Sequence, residues 1–144
     1  MRRTAGDEGN AMVELVYLSL LLMIPLFYAL LAVFQIQGAA FAVTEASRQA
    51  GRAFVRADTT DEGIARATKA VRLALTDQQL HATVLPVFSC DPAPCDLSSG
   101  QRVETRVSYT VSLPLLGALL GQHAGVPVTG SHVEYVDRFK QDKP

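Results

Sequence analysis

The chain has 144 residues, with 13 Lys and Arg against 14 Asp and Glu, a formal net charge of −1, and two cysteines. That length holds one small domain plus an anchor. The near-neutral balance gives no bulk attraction for nucleic acid, and two cysteines alone cannot build a structural zinc site.

The first stretch, MRRTAGDEG, reads as a short leader at 1–9, polar and basic through Arg2 and Arg3. From Asn10 the pattern predicts a helix. Between Leu15 and Phe34 twenty consecutive residues carry no formal charge, and Ser19 is the one polar break. At about 1.5 Å per residue such a run spans about 30 Å, the hydrocarbon thickness of a bilayer. A buried soluble helix of that length would show a polar stripe. The arginines before the run, and the neutral Gln35 and Gln37 after it, put the N-terminus in the cytoplasm and the rest outside. A cleaved secretory signal is the competing reading, with Ala39, Ala40 and Ala42 as a possible small-residue cleavage site. Pro25 removes a donor inside the run, so a kink is expected there.

At the mouth of the helix stands GNAMVEL, Gly9 to Leu15. A carboxylate is costly in a membrane, about 2.5–3.5 kcal/mol at mid-bilayer and less near the interface, so Glu14 is a functional candidate. Were the chain cut after Gly9, Asn10 would carry a new amine and Glu14 would be the fifth mature residue.

Past Phe34 the helix continues in small residues. Ala39, Ala42, Ala46, Ala50 and Ala53 recur three or four apart, a stripe that lets another helix or sheet come close. The long helix is expected over 10–57, followed by an extracytoplasmic domain over 58–144. Ala57 to Thr60 reads as a turn. Thr60 is the expected cap of a second, amphipathic helix, with Asp61 and Glu62 in its first turn. Ile64, Ala67, Val71, Ala74 and Leu75 recur at helical spacing on its apolar face. Arg66, Lys69 and Arg72 fall largely on other faces, as a solvated surface or a lipid-headgroup patch.

The remainder predicts strands. Leu80 to Phe88 is rich in β-formers, broken near Pro86. From Arg102 to Leu113 apolar residues alternate with polar ones, a period of two that buries the odd positions. The last stretch starts on even positions, Val126 and Val128, then changes to Val133 and Tyr135, which predicts a bulge near Gly130. Between these strands, 114–125 is a leucine-rich, glycine-punctuated loop that either caps the core or offers an apolar contact to a partner. The whole is an α+β arrangement: a long transmembrane helix continuing outside the membrane, a second helix and a small three-stranded antiparallel sheet.

Cys90 and Cys95 flank two prolines in CDPAPC, a loop short enough to close as a disulfide outside the cytoplasm. No G-x-S-x-G, Walker loop, Rossmann fingerprint or H-E-x-x-H is present. His81, His123 and His132 are scattered, and Asp61 and Glu62 are explained by capping. No catalytic residue, metal site, cofactor or small-molecule substrate is therefore expected, and the chain does not read as an enzyme.

The sequence resembles the prepilin class: a basic leader ending in glycine, a glutamate at mature position five, then a membrane helix. Within that class it is similar to the TadE-like family, minor pseudopilins of the tight-adherence (Flp) type IV pilus system. The resemblance is carried by Gly9, Val13, Glu14 and Leu15, and by the tail EASRQAGRAFVRA with Glu45, Ala46, Arg48, Gly51 and Arg52 in similar order. It covers the first third of the chain well and the valine-alternating remainder in outline. The chain departs from the family in having Glu8 before the glycine and in the late position of Pro25. The resemblance implies cleavage between Gly9 and Asn10 by a prepilin peptidase, Glu14 as an assembly residue, and a pilin-like fold. It implies as partners the membrane, other pilins or pseudopilins, and the inner-membrane assembly proteins of the Tad system. The alternative is a signal-anchored extracytoplasmic binding or adhesion module that does not enter a pilus.

Overall fold

A computed structural model of the chain describes residues 8–113 and 125–139. The greater part of the leader, 1–7, and 114–124 of the leucine-rich loop lie outside the described residues, as does His123. Among the described residues two helices and three strands follow in the order α1 (Glu8–Val55), α2 (Thr60–Asp77), β1 (Val87–Asp91), β2 (Arg102–Ser112) and β3 (Gly125–Tyr135). This is the expected α+β layout.

The chain divides into two compact units, 1–34 and 35–144, and α1 contributes to both. In the first unit α1 is helical on both sides of Pro25. Its described side chains are exposed apart from the half-buried Tyr28 and Ala32. The helix is long and apolar enough to cross a membrane.

In the second unit the core forms between the later half of α1, α2 and the sheet. On α1 the predicted small-residue stripe is the buried one: Ala39, Ala42, Ala46 and Ala50, joined by Val43 and Phe54. Ala53 is half-buried, and Ala57, past the helix end, is buried in its place. Small side chains matter because they let backbone approach backbone. A β-carbon on Gly130 of β3 would collide with the Val43 carbonyl, and one on Gly51 would stand 3.1 Å from Thr105 Oγ1 of β2. The Phe54 and Phe88 rings stack with centroids 4.1 Å apart, joining α1 to β1.

α2 starts one residue earlier than its sequence suggests. Thr59, with extended backbone angles, is the cap, and its hydroxyl accepts the Glu62 N–H at 3.3 Å. Thr60, the expected cap, instead donates its hydroxyl to the Cys95 carbonyl at 2.9 Å. Two adjacent threonines were interchangeable as caps by type, and the loop after β1 claims the second. The buried stripe of α2 is Gly63, Ala67, Val71 and Leu75. Ile64 is 45% exposed, against expectation. The Phe54 ring lies over Gly63, whose β-carbon would be 2.9 Å from its Cδ2, so the helix rolls toward the glycine rather than the isoleucine.

The sheet is antiparallel in the order β1-β2-β3. β2 keeps its predicted alternation, burying Val103, Thr105, Val107 and Val111. The first strand is shorter and later than Leu80–Phe88. Pro86 has no N–H for a ladder, and pairing with β2 begins at Val87 opposite Arg106. The bulge expected near Gly130 is absent. β2 and β3 pair without interruption from Arg102↔Tyr135 to Ser112↔Gly125, with Gly130 opposite Val107. The even positions therefore keep facing α1: Val128 and Gly130 are buried, His132 and Glu134 half-buried, while Tyr135 is 63% exposed. The glycine serves close approach of the helix rather than a change of phase.

Candidate functional site

The first candidate site is the start of α1. Gly9 and Asn10 lie in its first turn, and Glu14 follows one turn later as an exposed carboxylate. Asn10 and Glu14 are four residues apart, so they share a helix face at a rise of about 6 Å. Among the described residues Glu14 has no salt bridge, and no base stands at the three- or four-residue spacing that would supply one along the helix. Around it Met12, Val13, Leu15, Val16 and Tyr17 are all more than half exposed. The arrangement is a carboxylate on an apolar helical surface with no ion-pair partner among the described residues.

The second candidate is the loop after β1. Cys90 and Cys95 are disulfide-bonded, with Cα atoms 5.2 Å apart. The pairing agrees with the sequence expectation. Its organiser was not anticipated: the buried Gln101. Its Nε2 donates to the carbonyls of Pro92 and Pro94, both at 2.7 Å, and its Oε1 accepts the Leu97 N–H at 3.1 Å. One amide thus reaches three backbone groups of the loop; the Pro94 carbonyl also accepts the Asp96 N–H at 3.0 Å, while the Pro92 carbonyl and the Leu97 N–H rely on the glutamine. The sequence signal was a lone glutamine just before a strand, which nothing in its spacing distinguishes. Asp96 accepts the Ser98 N–H at 3.1 Å. That backbone bond, then the Ser98 side chain, hold its carboxyl below the usual carboxylate range.

The third is a charged contact between α1 and β3. Glu134 Oε1 is 3.3 Å from Arg52 Nε and 3.0 Å from His132 Nε2. This explains how β3 can turn polar residues toward the helix: Arg52 reaches over the carboxylate that the uninterrupted register directs there. Arg52 belongs to the tail that carries the family resemblance, and here it acts as a tether between helix and sheet.

Among the described residues no three of His, Cys, Asp and Glu gather as a metal-binding group. Nor do the described side chains form a nucleophile–base pair; the histidine contact made is His132 with Glu134. What the chain presents is an apolar helix with Glu14 one turn inside its start, and a disulfide-closed α+β unit. No family model, curated protein or solved structure matches the chain.

Proposed function

We propose that the chain is a minor pilin- or pseudopilin-like structural subunit for assembly of a Tad/Flp-type pilus, matured by a prepilin peptidase. One observation carries this reading: Glu14 stands five residues after Gly9, at the head of twenty uncharged residues on a helix whose side chains point outward.

In this reading 15–34 crosses the cytoplasmic membrane, Arg2 and Arg3 hold the N-terminus on the cytoplasmic side, and the disulfide-closed unit lies outside. The disulfide supports that side assignment, since such bonds persist in oxidising compartments. Hydrolysis of the Gly9–Asn10 peptide bond by the peptidase releases the leader and leaves an ammonium on Asn10. The apolar helix stays with the mature chain, unlike a secretory signal. Glu14 then pairs with an ammonium one turn away on its own face, or with that of an adjacent subunit. In a low-dielectric setting such a pair fixes register more than it adds net stability. A chain built this way acts by assembly, with the membrane, the peptidase, other pilins and the Tad inner-membrane proteins as partners.

Mass spectrometry of the membrane-extracted protein, with and without the peptidase, tests the reading. The expected mature chain begins at Asn10 only when the peptidase is present; any other N-terminus overturns it. Glu14→Ala should abolish assembly while the chain still reaches the membrane. Intact function in that variant favours a signal-anchored module in which Glu14 is incidental.

A further inference from the structure

We propose that the two flanks of α2 form a head-to-tail contact between copies of this chain, the acidic groove on one flank receiving the basic flank of the next copy. The contact deepens the assembly reading by naming the surfaces through which neighbouring extracytoplasmic units meet, and rests on that reading for its setting.

The buried stripe Gly63, Ala67, Val71 and Leu75 fixes which side of α2 faces inward. At about 3.6 residues per turn, positions 70, 73, 74 and 77 then fall on one flank, and 65, 68, 69 and 72 on the other. Each flank borders an open groove. The first, about 310 Å³, is lined by Glu45 and Gln49 of α1 and by Ala70, Leu73, Ala74 and Asp77 of α2. The second, about 360 Å³, is lined by Ala65, Thr68, Lys69 and Arg72 of α2 and by the segment running through Ala82 and Val84.

The charges of the two grooves are segregated by sign. Glu45 and Asp77 line the first, Lys69 and Arg72 the second. None of the four has an ion-pair partner among the described residues; Glu45 accepts a hydrogen bond from the Gln49 amide at 2.6 Å. Nearby charges are paired within the chain: Arg66 with Glu62 at 2.6 Å, Arg52 with Glu134 at 3.3 Å, and Arg106 with Glu104 at 2.9 Å. Asp61 lies on the basic flank but in the first turn of α2, about 12 Å along the axis from Lys69. Arg48 stands near Glu45 in sequence without lining the acidic groove.

Both grooves also expose apolar surface for a partner to cover. Leu73, 65% exposed, sits in the acidic one, and Ala65, Ala82 and Val84 line the basic one. Two different surfaces of opposite charge on one molecule make a heterologous contact. Such a contact propagates into a ring or a helical array instead of closing as a two-fold pair. Complementary charges set the register and the rate of encounter, and the apolar floors supply the area excluded from water.

Charge exchange on the full-length, membrane-extracted chain tests the contact. Lys69→Glu/Arg72→Glu makes both grooves acidic, and Glu45→Lys/Asp77→Lys makes both basic. By sedimentation equilibrium at low salt, each variant alone should self-associate about tenfold more weakly or worse, and an equimolar mixture should recover association. All four positions are exposed or rim residues, and the neutral pair Glu45→Gln/Asp77→Asn provides a milder variant that should weaken association without repulsion. Self-association unchanged in both reversals, or not recovered on mixing, overturns the contact. If Glu14→Ala abolishes pilus assembly while the charge reversals leave both assembly and self-association intact, this contact fails and the pilus reading stands. If mature protein does not begin at Asn10, the pilus reading fails whatever the reversals do.

Discussion

Gly130 of β3 lies against the backbone of Val43 in α1, so close that a β-carbon there would meet the Thr44 amide nitrogen at 2.6 Å as well as the Val43 carbonyl. Helix and sheet touch through main chain at this point. The obstacle is backbone on a helix already held by buried Ala42 and Ala46, so it cannot swing aside as a flexible side chain would.

Gly130→Ala should therefore destabilise the second unit toward the upper end of the range for overpacking, about 1–3 kcal/mol. Gly38→Ala is the control. It is a helix-interior glycine with nothing among the described residues within 4 Å of its added β-carbon, so the change should be neutral or stabilise by up to about 1 kcal/mol. Thermal unfolding of the full chain in detergent, followed by circular dichroism, reads both. Equal effects from the two substitutions would show that the helix–sheet approach has slack.

Thr105 of β2 is fully buried, and its hydroxyl has no hydrogen-bond partner among the described residues. A buried polar atom left unpaired is a cost that its near-isostere removes. Thr105→Val should raise stability by about 1 kcal/mol, whereas Thr105→Ala should lower it by opening space beneath Gly51. A chemical-denaturation midpoint that rises for valine and falls for alanine checks both, and a fall for both would mean that the hydroxyl is contributing after all.

Where an element repeats, its sequence showed its face directly. Val103, Val107 and Val111 announce the buried side of β2, and the alanines from Ala39 to Ala50 announce that of α1. In both cases the side chain's own burial fixes its position. β3 misled because its apparent change of phase came from Val133 and Tyr135, which the continuous register turns away from α1. The register is fixed by backbone contact at Gly130 and by Arg52 reaching Glu134, two relations more than 80 residues apart in sequence. The disulfide was legible from two cysteines and two prolines. Gln101 was not, because its role is defined by the Pro92 carbonyl and the Leu97 N–H, which the folded loop leaves without other partners. At the start of α1 the Gly9–Glu14 spacing was visible from sequence, and the structure adds that Asn10 and Glu14 share a helix face.

Gln101 and the disulfide hold the same loop by different means, so their contributions should not add. Gln101→Leu leaves the Pro92 carbonyl and the Leu97 N–H without their partner, and the Pro94 carbonyl with the Asp96 N–H alone, and should cost about 2–3 kcal/mol, water replacing some of the bonds. Cys90→Ser/Cys95→Ser should cost about 2 kcal/mol from loop closure. With the loop already freed, loss of Gln101 should matter less, giving a combined effect smaller than the sum. A double-mutant cycle by denaturant unfolding measures this, and strict additivity would mean that the glutamine and the disulfide constrain the loop independently.

Asp96 gives the same loop a pH dependence whose sign follows from its hydrogen bonds. The Ser98 N–H favours the charged carboxylate and holds the folded-state pKa below the unfolded value of about 3.9. Its stabilisation is therefore fully present above that unfolded value and is lost as pH falls through the lower folded value, where the unfolded chain has bound its proton first. The comparison with Asp96→Asn isolates this group from the other carboxylates. Wild type should exceed the variant in stability at neutral pH, and the difference should shrink steadily once the pH drops below about 4. Because Asp96 is fully exposed, the difference should be small and should survive added salt better than an ion pair would, since its source is a short-range backbone bond. A gap that widens on acidification would reverse the sign and place the stabilising partner on the protonated form.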